Sequence, residues 1–370
     1  MAEPIEKRLR VLFISDAIAS RNGVGSYYAD LVDHLADYID HAELLSPGTE
    51  PEDYAHELTF PLPGDPTQRL YLPKVTWIWQ RIKAVCPDVI VIPTPGPYGL
   101  AGFAMARYLG IPLCAGYHTQ YDKLTDIYWT SVLSGFSRFY MKSLNRVLFR
   151  FSAVVVGNSG EMIAGARADG AENAEMIGTP AARHFLAPPF APMSSKFASV
   201  CYAGRLALEK NIRDILEAAR RLPHIRFIIA GDGPLRAEVE KMADTVPNIE
   251  YVGWVSRDGV KQVIDSAEML LLPSKVEAFG TIALEAMARR RLVLVSENCG
   301  ILNWPDLAPG VYAMAPDEDL FDAISRISRK SLSERLEKAE IAHQAAAAFN
   351  RQTMRQWVDL FAHIAEPTWQ

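Results

Sequence analysis

Residues Met269–Ala288, MLLLPSKVEAFGTIALEAMA, decide how the rest of the chain is read. An apolar run ends at Leu272, a loop carries Glu277, and a helical stretch opens at Gly280–Thr281 with Glu285 about one turn inside it. Strand, loop and helix in quick succession make half of a parallel crossover unit. A helix start offers unpaired N–H groups to an anion, and here two carboxylates stand beside one. Residue type alone leaves each acid two readings. Glu277 either grips sugar hydroxyls or caps the helix, and Glu285 either accepts from ribose hydroxyls or is a solvated helical residue. Its place between Leu284 and Ala286 favours burial.

The same alternation extends in both directions. Downstream lies Leu292–Ser296; upstream lie Ala198–Ala203, Ile212–Arg221, Arg226–Ala230, Leu235–Ala243, Glu250–Val252 and Val260–Asp265. The stretch Leu186–Lys196, rich in Pro and small residues, reads as a linker. Before it come the strand-like runs Arg10–Ser15, Asp88–Pro93, Pro112–Tyr117 and Ala153–Gly157. Between these lie the helical stretches Gly25–Leu35, Lys74–Val85, Tyr98–Leu109 and Phe136–Phe149. Short apolar strands of this kind are buried on both faces, as in parallel sheets. The pattern predicts an α/β protein of two Rossmann-like doubly wound domains facing a central cleft, residues 1–188 and 189–348. The whole stretch Leu332–Ile364 reads as helical.

Composition agrees. At about 150 residues per domain, 370 residues make two domains, and 49% apolar with 22% charged residues excludes a disordered or fibrous chain. The balance of 38 basic against 44 acidic residues, a net −6, gives no field for nucleic acid. Cys86, Cys114, Cys201 and Cys299 have no metal-ligand spacing, so neither a metal nor a disulfide framework is expected. The N-terminus MAEPIEKRLR lacks a signal-peptide pattern, and no run approaches the ~20 apolar residues of a membrane span. A soluble cytoplasmic protein is expected.

Two further motifs bear on chemistry. Asn22-Gly23-Val24-Gly25-Ser26 follows the first strand, where glycines let a ligand approach the backbone; a plain tight turn has the same sequence. A dinucleotide fingerprint is disfavoured, because its third glycine falls on Tyr28 and the second strand ends in Leu44-Leu45-Ser46 without an acid for a ribose. Gly204-Arg205-Leu206-Ala207-Leu208-Glu209-Lys210-Asn211 places two cations after a strand, a pattern suited to a diphosphate, or else a solvated loop with a local pair to Glu209.

Taken together, the G-R-L-x-x-x-K-N loop, the Glu277…Glu285 pair inside P-S-x-x-E-A-F-G-T-x-x-L-E-A-M-A, Gly231-Asp232-Gly233-Pro234-Leu235 and Gly253-Trp254-Val255 resemble glycosyltransferase family 4 over nearly the whole chain. These are retaining enzymes of the GT-B fold. The resemblance implies that Arg205 and Lys210 meet the donor diphosphate, Glu277 faces the transferred sugar and Glu285 binds the nucleotide ribose. It also implies backbone contacts to sugar and phosphate from Ala278, Phe279, Gly280 and Thr281, a base pocket around Val255, an N-terminal loop at Gly23 and Gly25 that closes over the phosphates, and a terminal helix over 349–370 that packs back on the first domain. His118, in Tyr117-His118-Thr119-Gln120-Tyr121, matches a histidine that supports charge at the reacting carbon, although a lone His is as readily structural. The implied co-substrate is a nucleoside-diphosphate sugar, a UDP-sugar ahead of GDP-mannose, and neither a cofactor nor a metal is expected. Two departures stand out. Arg289-Arg290-Arg291 replaces G-x-P, and Asn298–Trp304 replaces a glycine-rich turn near the donor phosphates.

The acceptor side carries its own pattern. No Asp or Glu occurs from Ile127 to Gly160, and Arg138, Lys142, Arg146 and Arg150 recur at helical spacing beside apolar residues. Such a stripe is a solvated helix face or an element drawn to anionic lipid. Tyr121, Tyr128 and Trp129 would add interfacial aromatics. The His118–Tyr128 segment resembles family members that glycosylate diacylglycerol or phosphatidylinositol, which implies a glycerolipid acceptor and peripheral association with the cytoplasmic face of a membrane. The competing readings are a soluble acceptor, a nicotinamide oxidoreductase, and an idle module that only binds a nucleotide sugar.

Overall fold

A computed structural model describes residues 9–18, 23–49, 59–62, 65–118 and 142–366. The chain divides into two compact units, Met1–Pro180 with Arg351–Gln370, and Ala181–Asn350.

The first unit is built on β1 (Arg10–Ile14), β2 (His41–Leu45), β5 (Val89–Ile92), β6 (Leu113–Tyr117), β7 (Val154–Gly157) and β8 (Ala174–Met176). They pair in parallel in the order β2-β1-β5-β6-β7-β8. Strand alternation sends Val11, Phe13, Val89 and Val91 to one face and Leu12, Ile14, Ile90 and Ile92 to the other, all fully buried. Helix α1 (Gly23–Leu35) covers the first face with Tyr27, Tyr28 and Leu31, alongside Met354, Trp357 and Phe361 from the end of the chain. The second face is covered by α2 (Val75–Val85), α3 (Pro97–Leu109) and the helical residues 142–150. A separate hairpin, β3 (Thr59–Leu62) with β4 (Asp65–Tyr71), and the helix α4 (Gly160–Ala168) were not expected. Pro61, Pro63, Gly64 and Pro66 give the hairpin the composition of a loop, because proline lacks the N–H a ladder uses.

The second unit follows the forecast through Leu292–Val295, while the strand Tyr312–Ala313 and the helix Leu320–Ser328 were not singled out. Its strands β9 (Ser199–Ala203), β10 (Arg226–Ala230), β11 (Ile249–Gly253), β12 (Met269–Leu272), β13 (Leu292–Val295) and β14 (Tyr312–Ala313) run parallel in the order β11-β10-β9-β12-β13-β14. Helices α5 (Ile212–Arg221), α6 (Arg236–Thr245), α7 (Arg257–Asp265), α8 (Thr281–Ala288) and α9 (Leu320–Ser328) flank them. Helix α10 (Leu332–Ala365) begins in this unit, and its residues beyond Asn350 belong to the other. Because β9 and β12 are neighbours, the chain leaves them toward opposite edges. The crevice beyond their carboxyl ends is where sheets of this topology bind ligands.

The proline-rich run is not a free linker. Three buried arginines bind it to the second unit. Arg289 donates to the carbonyls of Phe185 (3.4 Å), Ala187 (2.6 Å) and Pro189, and its Nε and Nη2 meet Asp265 at 2.8 and 2.9 Å. Arg291 donates to Ala191 and to Pro192 (3.3 Å), and Arg335 to Ser194 (3.1 Å) and Ser195 (2.7 Å). The division accordingly falls after Pro180, ahead of residue 188. Composition misleads here because arginine usually marks a surface.

Candidate functional site

The two loops that leave β9 and β10 are bonded to each other. Gly204 N donates to Ala230 O (3.0 Å), Leu206 N to Asp232 O (2.9 Å) and Leu235 N to Leu206 O (2.9 Å). Gly231 (φ +139°) and Gly233 (φ +156°) allow this approach, for a Cβ would stand 1.8 Å from Gly204 O and 2.5 Å from Leu206 O. Leu206 and Ala207 are fully buried and anchor the loop, while Gly204 and Leu208 are exposed. Its local pair does form: Arg205 Nη1 lies 3.3 Å from Oε1 of the buried Glu209. Tyr202 donates its hydroxyl to Arg205 O at 2.7 Å and fixes the backbone that carries the cation.

Across the β9–β12 junction, Lys210 Nζ donates to Glu277 Oε2 at 2.7 Å, and Ser274 Oγ donates to the same oxygen at 3.3 Å. Glu277 does not cap α8. That position belongs to Gly280, in the left-handed region at φ +93°, with no side-chain cap. Burial pulls the Lys210 ammonium toward neutrality, but the Glu277 carboxylate outweighs it and holds the lysine above its ordinary value. Phe279 is buried against Phe349, ring centroids 5.8 Å apart, and Trp304 meets Phe349 edge-on at 4.8 Å. The Asn298–Trp304 departure therefore buttresses the Glu277 loop. Gly300 N donates to Glu277 O (3.0 Å), and a Cβ at Gly300 would lie 1.8 Å from Ala278 O. Ala278 and Thr281 remain partly exposed at the start of α8.

Glu285 is 2% exposed, which removes the solvated alternative. Arg257 Nη1 donates to its Oε1 at 2.7 Å. Burial raises the Glu285 carboxyl above its ordinary range, and Arg257 offsets part of that rise. Arg257 was not singled out from the sequence. The signal was Ser256, which caps α7 directly after Gly-Trp-Val and places Arg257 at the first helical position. Val255 is partly buried between β11 and α7. Arg205, Lys210, Glu277, Glu285 and the α8 N-terminus thus all stand on loops and helix starts beyond the strand ends of one unit.

In the first unit, Gly23 and Gly25 lie in the first turn of α1, and a Cβ at Gly23 would meet nothing within 4 Å. His118 follows β6 and is 8% exposed. Its Nε2 lies 2.6 Å from the Tyr28 hydroxyl, and burial pulls the imidazole down to about 3. Asp16, also unforeseen, accepts from Thr94 Oγ1 (2.9 Å), Tyr98 N (2.7 Å) and Gly99 N (3.2 Å), and so caps α3. Tyr121, Tyr128, Trp129 and Arg138 lie outside the described residues. Lys142, Arg146 and Arg150 are exposed, Lys142 with its Nζ 3.6 Å from Asp169. The same surface continues over α2 and α3. Trp79 and Tyr108 rings lie 5.9 Å apart, Lys83 sits over Trp79 at 5.1 Å, and Arg107 over Phe151 at 4.8 Å. Val75, Tyr108, Val147 and Phe151 are exposed there. Among the described residues no helix is long and apolar enough to cross a membrane.

Comparison with known proteins places both halves. Residues 21–177 match the family model Glycosyltransferase Family 4, and residues 191–343 match Glycosyl transferases group 1. The chain is 25% identical over 264 residues to the sulfoquinovosyl transferase SQD2 of Arabidopsis thaliana, covering 68% of this chain and 50% of that protein. It is 29% identical over 177 residues to the phosphatidylinositol N-acetylglucosaminyltransferase gpi3 subunit of Schizosaccharomyces pombe, covering 45% of this chain and 37% of that one. It thus spans half or less of the length of these two relatives. A sucrose-phosphate synthase from Thermosynechococcus elongatus shares the fold at TM-score 0.74 and 18% identity, over 96% of this chain and 99% of that one. With the two family models matched in succession over paired parallel sheets, the chain belongs to glycosyltransferase family 4 and has the GT-B fold.

Proposed function

We propose that the protein is a retaining glycosyltransferase that moves a sugar from a nucleoside-diphosphate sugar, a UDP-sugar first, to a hydroxyl of a membrane glycerolipid such as diacylglycerol. The observation that carries the donor half is the convergence of Arg205, Lys210 and the α8 N-terminus beyond the ends of β9 and β12. Two cations, each held in place by a carboxylate, and a helix start stand where a diphosphate leaves, a preorganised source of electrostatic stabilisation once the phosphates compete for the cations. The bond from the anomeric carbon to the diphosphate breaks, and the acceptor oxygen bonds that carbon on the same face. The acceptor proton passes to the leaving phosphate oxygen. No metal is required in this scheme, since Arg205 and Lys210 meet the charge. Glu285 takes the ribose, with Arg257 holding the carboxylate in place.

The lipid acceptor is supported by the outer surface of the first unit. α2, α3 and residues 142–150 contain no Asp or Glu in a chain of net charge −6. They expose Lys83, Arg107, Arg146 and Arg150 beside Val75, Tyr108 and Val147. Basic and apolar groups together suit an anionic lipid surface. The relative named for phosphatidylinositol points the same way.

Calorimetric titration with UDP, GDP and ADP, repeated on Arg205→Ala and Glu285→Ala, tests the donor half. Binding of one nucleotide, lost in both variants, is expected; no binding of any would overturn the reading. Turnover of the matching sugar nucleotide with diacylglycerol in anionic vesicles tests the acceptor. Activity indifferent to vesicles would assign a soluble acceptor instead.

A further inference from the structure

The buried contact between Tyr28 and His118 has a direction that donor and acceptor strength decides. Among the described residues Tyr28 Oη and His118 Nε2 have only each other as partner, at 2.6 Å, and His118 Nδ1 is buried with none. Tyr28 is fully buried and His118 is 8% exposed. Either direction leaves one donor and one acceptor unpaired: the tyrosine O–H and the Nδ1 lone pair if Nε2 donates, Nδ1–H and the tyrosine oxygen if the tyrosine donates. The second is favoured because the phenol O–H is the better donor and the imidazole nitrogen the stronger base, while a phenol oxygen, its lone pair shared with the ring, is a poor acceptor and loses least by going unpaired.

We propose that Tyr28 is a positioning residue that locks His118 in the tautomer protonated at Nδ1, so that this N–H is a donor held ready for a substrate oxygen. The lock has a steric side as well. A Cβ at Gly116 would fall 2.5 Å from Tyr28 Oη and 3.0 Å from His118 Nε2, so a glycine on β6 leaves the room in which the pair meets. The Tyr27 ring packs edge-on to the imidazole at 5.0 Å and restrains its tilt. The ring stays neutral because burial disfavours its charged form, so the leftover group is an uncharged donor. It can hold a hydroxyl or a developing negative oxygen without supplying a formal charge. An N–H left unpaired beyond the carboxyl end of a parallel strand lies where such sheets bind ligands.

The role in catalysis rests on the sugar-transfer reading; the tautomer does not. Nitrogen-15 NMR of the histidine side chains in the full chain, with His118 assigned by loss of its signals in His118→Gln, reads the tautomer directly. Expected are a protonated Nδ1 and an unprotonated Nε2, unchanged from pH 5 to 8. In Tyr28→Phe the two tautomers mix. There kcat for UDP-glucose hydrolysis falls roughly tenfold or more with KM nearly unchanged, in line with loss of a buried hydrogen bond. A protonated Nε2 in the wild type, or an unaltered tautomer in Tyr28→Phe, would overturn the proposal. If Tyr28→Phe does not fold, the wild-type spectrum alone decides. Wild-type protein that shows the expected tautomer but neither binds nor turns over any sugar nucleotide would sink the sugar-transfer reading and leave the lock standing.

Discussion

Lys210 Nζ and Glu277 Oε2 neutralise each other across 2.7 Å, joining the loop after β9 to the loop after β12. The cation suited to a diphosphate is therefore already engaged by a carboxylate, with Ser274 as a second donor to the same oxygen. A nucleotide that uses Lys210 has to draw it away from Glu277 or share it.

The first prediction follows from that competition. Glu277→Gln removes the rival charge, so UDP binds more tightly while sugar turnover falls. Lys210→Met removes the cation, and UDP affinity drops about 10- to 100-fold, the range of a hydrogen bond to a charged group. Calorimetry on both variants checks the two opposite signs. Because the folded lysine sits above its ordinary value, its charge persists through neutral pH and is lost only above the usual lysine range. Affinity is thus expected to show no Lys210-linked fall between pH 6 and 9. Weaker UDP binding by Glu277→Gln would count against the competition.

A second prediction concerns Glu285, buried with Arg257 as its ion partner. Removing Arg257 strands a buried carboxylate at a cost of about 3–5 kcal/mol. Since burial raises the folded carboxyl above its unfolded value, the folded state binds the proton more readily. Stability contributed by this group is present at low pH and declines as pH rises above the ordinary carboxylate range. The urea midpoint of Arg257→Ala should therefore fall short of the wild type by more at pH 8 than at pH 5. Adding Glu285→Gln should recover much of the loss at pH 8. Equal deficits at both pH values would show that the arginine acts through its packing on Phe185 (5.4 Å) rather than through charge.

How far the sequence carried these conclusions depends on the kind of contact. The second sheet was legible through its first five strands because Val200–Ala203, Ile228–Ala230 and Leu270–Leu272 are apolar runs punctuated by glycine and proline, and parallel burial writes itself that way; the two-residue strand Tyr312–Ala313 is too short to leave such a run. Arg205, Lys210 and Glu277 were legible because loops after neighbouring strands carry them. Contacts between distant side chains were not. Nothing near Glu285 announces Arg257, and Tyr28 was noticed only as a missing glycine, although it meets His118 ninety positions away. The arginines over Leu186–Lys196 were hidden for a related reason. They bond backbone carbonyls, which every sequence has.

Those arginines give a third prediction. Arg289 is fully buried and forks onto Asp265 while its remaining N–H groups reach the carbonyls of Phe185, Ala187 and Pro189. Lysine cannot reproduce that fork. Arg289→Lys should lower stability by about 3–5 kcal/mol, close to the cost of breaking a buried pair. It should also open residues 185–195 to limited proteolysis ahead of global unfolding. Arg290→Lys, at an exposed neighbour, is the control and should change stability by no more than ~0.5 kcal/mol. A protected segment in Arg289→Lys would mean that Arg291 and Arg335 hold it without Arg289.

The last prediction uses the neutrality of His118. Burial pulls its imidazole from an ordinary value near 6.5 down to about 3. Between those values the unfolded chain binds a proton that the folded chain refuses, so this residue makes stability fall as pH drops below 6.5. His118→Gln keeps a polar side chain for Tyr28 and cannot titrate. The stability advantage of wild type over the variant, read from urea midpoints, should therefore be constant from pH 8 to 7 and shrink steadily from pH 6 to 4. The same neutrality means that His118 contributes no inflection to turnover between pH 5 and 8. An advantage that stays constant down to pH 4 would show that the folded imidazole accepts the proton after all, and its single leftover N–H would then not be a neutral donor.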